Sequence, residues 1–94
     1  MIFIVESGVR IAASVWGKEE HPLVILLPGG GQTRHAWNRT GEQLGQAGFW
    51  TLALDTRGHG DSDWHPNGDY SLVSLVDDVK TVVTQLGKPA AIVG

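Results

Sequence analysis

The 94-residue sequence contains no cysteine, which removes disulfides, thiolate nucleophiles and cysteine-bound metal from the chemistry open to this stretch. Basic residues are also few. Seven lysines and arginines lie scattered among ten acidic residues, for a net charge of -3. Without a basic stripe to displace counterions, no nucleic-acid partner is expected. The opening "MIFIVESGVR" lacks a basic leader and an apolar core of signal-peptide length, and no later apolar run reaches membrane-spanning length. The expectation is no membrane partner and a cytoplasmic location. Repeats and low-complexity tracts are absent too. What remains is 41% hydrophobic and 18% charged, the balance of a core-forming globular chain of one domain at most. A domain of this size buries a modest share of its surface and has little stability to spare.

The apolar patterning predicts an α/β order. Residues Ile2 to Val5 and Val9 to Trp16 are β-prone and are joined by "ESG", so the chain is expected to open with an antiparallel hairpin. After the charged loop "GKEEHP", Leu23 to Leu27 are apolar at every position, the pattern of a strand covered on both faces. "HAWNRTGEQLGQAG" has a helical pattern weakened by Gly41 and Gly45 and ended by Gly48. Phe49 to Leu54 form a second buried strand. Between Ser71 and Leu86 the residues Leu72, Leu75, Val76, Val79, Val82, Val83 and Leu86 fall on one helical stripe, with Ser71 as the cap and Gly87 and Pro89 as the stop. "AAIVG" then reads as a last strand. The alternation implies a mostly parallel sheet flanked by helices and built through right-handed crossovers.

In such sheets ligands bind beyond the carboxyl ends of the strands, which directs attention to two loops. "PGGG" (Pro28 to Gly31) leaves backbone N–H groups free to approach a ligand oxygen with no Cβ in the way. That suits an oxyanion or a phosphate; the plain alternative is a flexible turn. The second loop, "DTRGHGDSDWHPNGDY", follows the second buried strand. Asp55 at its start suits the organisation of loop amides better than acid catalysis. Arg57 and His59 are expected to support the loop. Trp37 either lines a pocket or packs the first helix on the sheet, and Trp64 and Tyr70 admit the same two readings. His59, Asp61, Asp63 and His65 alternate, but their spacing matches no justified ligand set, so a solvated turn is preferred to a metal site.

Together these motifs resemble the N-terminal part of an α/β-hydrolase-fold enzyme. Pro28 to Gly31 are similar to the oxyanion loop of that family and Asp55 to Ser62 to its Asp-x-Arg-Gly-His-Gly-x-Ser loop; the final strand then leads to Gly94, in the place of the first glycine of G-x-S-x-G. The resemblance implies that residues 1–94 are an incomplete portion of a single domain, with nucleophile, acid and histidine further along the chain. It implies Gly30 as an oxyanion-binding N–H and Gly31 as a possible second donor. Pro28 and Gly29, together with Asp55, Arg57 and His59, support the site, and Trp37 is a pocket candidate. The implied activity is cofactor-free hydrolysis of an ester or related acyl bond of a small molecule by a serine nucleophile. Pro28 stands where the family usually has histidine. The His-Gly-x-Pro form of epoxide hydrolases and dehalogenases would need proline at Gly31, which counts against an aspartate nucleophile. Two rivals are kept: a noncatalytic hydrolase-like binding protein, and a dinucleotide-binding domain. The second fits poorly, because the third glycine of its fingerprint falls on Arg34.

Overall fold

The computed structural model describes residues 1–5, 8–29, 32–64, 68 and 71–94. In chain order they form β1 (Ile2–Ile4), β2 (Arg10–Trp16), β3 (Leu23–Leu26), a 3-10 turn (Arg34–Trp37), α1 (Asn38–Gln46), β4 (Trp50–Leu54), α2 (Leu72–Leu86) and β5 (Ala90–Val93). The five strands make one sheet in the order β1-β2-β4-β3-β5. β1 and β2 form the expected antiparallel hairpin, and β2 also pairs antiparallel with β4. β3 is parallel to both β4 and β5, with Ile25 opposite Leu52 on one side and Ile92 on the other.

β3 and β4 lie inside the sheet, and every residue of both is buried. Their alternation divides the core into two faces. Leu23, Ile25, Leu52 and Leu54 pack with Phe3, Val5, Ile11 and Val82 on the α2 face. Val24, Leu26 and Ala53 pack with Leu44 of α1, Trp16, Trp37 and Phe49 on the other. Helices on opposite faces are what right-handed crossovers require, because β3 to β4 and β4 to β5 run in opposite directions across the sheet.

The two glycines that weaken the helical pattern of α1 have a packing reason. A Cβ on Gly41 would overlap the Trp16 ring, and one on Gly45 would stand 2.8 Å from the Trp16 Cβ. Glycine lets the helix backbone settle on β2 at a distance no side chain permits. α2 has the sequence signals of a self-sufficient helix. Ser71 Oγ accepts from the Ser74 N–H at 3.3 Å, and Gly87 takes the left-handed cap conformation at φ 74°. Its stripe is covered only in part. Val82 is fully buried and Val79, Val83 and Leu86 are partly so, whereas Leu72 is 76% and Val76 44% exposed. Leu72, Val76, Val79 and Val83, with the edge strand β5, whose Ile92 is 49% exposed, border an apolar groove of about 670 Å³ that also touches Leu27 and Pro28. No helix among the described residues is long and apolar enough to cross a membrane.

Candidate active site

The carboxyl ends of β3 and β4 are adjacent because the two strands are parallel and in register. The loops that leave them are tied together by one carboxylate. Asp55 follows β4 and is fully buried. Its Oδ1 accepts the backbone N–H of Arg34 and its Oδ2 accepts both the Arg34 guanidinium and the Asp61 N–H, the last at 2.9 Å. Burial alone would raise the carboxyl pKa; the amide hydrogen bonds and the adjacent guanidinium outweigh that and hold it below its ordinary value of 3.8. Gly60, at φ 54°, is the point where the loop turns over this carboxylate, and a Cβ there would overlap it.

Other residues of the loop fasten it to α2, to β2 and to itself. Arg57 is 4% exposed and forms a fork with Asp78 of α2, Nε to Oδ2 at 2.7 Å and Nη2 to Oδ1 at 2.6 Å. His59 Nδ1 lies 3.1 Å from the Arg57 carbonyl oxygen and 3.2 Å from Thr56 Oγ1, which closes the turn within itself. Ser62 Oγ donates to the Asp55 carbonyl at 2.6 Å and accepts the Ala12 N–H of β2 at 2.9 Å. Asp63 takes the backbone N–H and the guanidinium of Arg10, and that hydrogen-bonded arginine holds its carboxyl below the ordinary range.

Gly30 and Gly31, the expected oxyanion donors, lie outside the described residues. Their neighbours are described. The Gly29 carbonyl accepts the Gln32 N–H at 3.0 Å, and Pro28 borders the apolar groove. Trp37 packs on the α1 face against the cluster of Val24, Leu26 and Ala53, and its buried Nε1 finds no partner among the described residues. Trp64 is 75% exposed; Tyr70 and His65 lie outside the described residues. Asp61 and Asp63 face different arginines, Arg34 and Arg10, and the described residues contain no cluster of three or more ligating side chains placed to hold a metal ion.

Sequence reasoning missed Arg34, Asp78, Ser62 and Arg10 as partners of the site loops. Asp78 carried a readable signal: it sits three residues after Leu75 and four before Val82, so it lies on the apolar stripe of α2, where a carboxylate requires a partner.

The sheet order, the crossovers and the paired loops at the strand ends define an α/β hydrolase architecture. The alpha/beta hydrolase fold family matches residues 22–94, and the chain belongs to it. It is 32% identical over 93 residues to an AB hydrolase superfamily protein of Bacillus subtilis, covering 97% of this chain and 32% of that protein. It is 37% identical over 89 residues to an esterase of Mycobacterium tuberculosis, covering 95% of this chain and 28% of that protein. Other relatives are named as a monoacylglycerol lipase and as epoxide hydrolases. Among solved structures, the thioesterase domain from the curacin biosynthetic pathway superposes with a TM-score of 0.88 at 26% identity, covering 98% of this chain and 34% of that one. The chain therefore spans about a third or less of the length of these relatives.

Proposed function

We propose that this chain supplies the oxyanion-binding side of an α/β-hydrolase that cleaves an ester or related acyl bond of a small molecule, and that the full-length protein carries the nucleophile, acid and histidine beyond Gly94. The observation that carries this reading is the joining of the two site loops at the carboxyl ends of β3 and β4 by Asp55. In the proposed reaction a serine activated by histidine attacks the carbonyl carbon and forms a tetrahedral intermediate. Its oxyanion is held by the Gly30 N–H, with Gly31 as second donor, and collapse to an acyl-enzyme is followed by release to water. Pro28, Gly29, Asp55, Arg57 and His59 hold this backbone in place. Esterase and lipase relatives support this substrate class. The exposed stripe of α2 and the apolar groove beside β5 support a larger domain in which further chain covers this surface.

Relatives named as epoxide hydrolases favour one second reading, an aspartate nucleophile opening an epoxide; Gly31 in place of that group's proline argues against it. The full-length protein should be assayed with p-nitrophenyl esters of graded acyl length and with styrene oxide. Saturable ester turnover that falls by about a hundredfold or more in Gly30→Pro, with KM little changed, is the expected result. Epoxide opening without ester turnover establishes the second reading, and no turnover on either class leaves a binding protein.

A further inference from the structure

Arg34 has no part in the mechanism just described, yet its side chain joins three residues near the strand ends, Ser14, Asp55 and Asp61. It begins the 3-10 turn, three residues after Gly31. Its Nε donates to Ser14 Oγ of β2 at 2.9 Å. Its Nη1 donates to Asp55 at the end of β4 and, at 3.0 Å, to Asp61 in the following loop. Its backbone N–H donates to the same Asp55 carboxylate. The side chain is 15% exposed. Main chain and guanidinium are therefore gripped by one buried acid, while the guanidinium Nε is anchored on a separate strand. A lysine offers one ammonium with no second edge and cannot reproduce this fork.

We propose that Arg34 is the positioning residue of the glycine loop, locking the return limb of that loop (Gln32 to Arg34) onto the sheet, on which the oxyanion-binding role proposed for the preceding glycines depends. This inference rests on the oxyanion reading for its catalytic consequence, though not for its structural one. The charged groups hydrogen-bonded around Asp55 are the Arg34 guanidinium and, through it, the Asp61 carboxylate; Arg57 is engaged by Asp78. Among the described residues, removing the Arg34 side chain leaves the buried Asp55 with the Arg34 and Asp61 amides as its donors and beside a second carboxylate, conditions that favour its protonation. Once protonated, Asp55 grips the Arg34 amide less well.

The test uses the full-length protein and the variants Arg34→Ala, Arg34→Lys and Arg34→Ala/Asp55→Asn. Hydrogen exchange of peptides covering residues 28–36 should quicken by about tenfold in Arg34→Ala, with β3 and β4 peptides unchanged. Turnover should fall by about tenfold to a hundredfold with KM nearly constant. The pH–rate profile of Arg34→Ala should gain an acid limb that the double variant lacks. Arg34→Lys should fall between, and it carries the same comparison if Arg34→Ala does not fold. Unchanged exchange at residues 28–36, or an equal increase across the whole sheet, overturns the proposal. A wild-type protein with no turnover on any substrate sinks the hydrolase reading instead, and the exchange measurement then decides the role of Arg34 alone.

Discussion

Asp78→Ala removes one partner of an ion pair with almost no access to water. Arg57 is 4% and Asp78 7% exposed, and the two hydrogen bonds between them are 2.7 and 2.6 Å long. Such a pair need not stabilise the fold relative to well-packed apolar residues, because both ions must be desolvated to form it. Breaking it is another matter, since the substitution removes the Asp78 carboxylate from a buried guanidinium. The expected loss is about 3–5 kcal/mol, a large fraction of the ~5–15 kcal/mol by which domains are stable. Asp78→Asn keeps an acceptor for the guanidinium and should lose less. Arg57→Met/Asp78→Leu removes both charges while keeping volume, and should recover most of the loss. Urea unfolding of the full-length protein, followed by tryptophan fluorescence, measures all four proteins. A loss below about 1 kcal/mol for Asp78→Ala refutes the reasoning, as does a double variant no better than the single one, because either result means that the buried Arg57 guanidinium does not depend on Asp78.

Gly41→Ala would raise helix propensity by about 1 kcal/mol, but its Cβ overlaps the Trp16 ring; net destabilisation in urea is expected, and a stabilised variant refutes the close-packing account of α1. Asp55 has a folded pKa below its ordinary value of 3.8, so its contribution is complete above that value and is lost as pH falls through the lower folded one. The urea midpoint of the wild type should therefore drop more than that of Asp55→Asn between about pH 6 and about pH 3, and parallel curves exclude this role. The 94-residue chain alone should hydrolyse no p-nitrophenyl ester above buffer; a saturable rate that follows it through purification places the nucleophile within residues 1–94.

The fold was legible in the sequence where local signals sufficed. The largely apolar runs marked β3 and β4 as buried strands, and the Ser71 and Gly87 caps of α2 are the ones observed. The insertion of β4 between β2 and β3 was not legible, because strand order depends on pairings that no local pattern encodes. The loss of periodicity at Gly41 and Gly45 was visible, but its cause, Trp16, lies on a strand more than twenty residues earlier. Within the site the glycine run and the Asp55 loop declared themselves by composition, whereas Arg34 looked like an ordinary charged residue near a helix start. Its importance comes from Ser14, Asp55 and Asp61, which only the folded sheet assembles.

The loop after β4 is bolted to its surroundings through Arg34, Arg57–Asp78, Ser62–Ala12 and Asp63–Arg10, and this makes it a poor unit of exchange. Protein engineers who transplant residues 55–63 between relatives to alter activity would move one half of each fastening and leave the other behind. A workable graft carries positions 10, 14, 34 and 78 along with the loop, so the transferable module is the loop together with side chains on β2, the 3-10 turn and α2, joined through space and scattered along the chain.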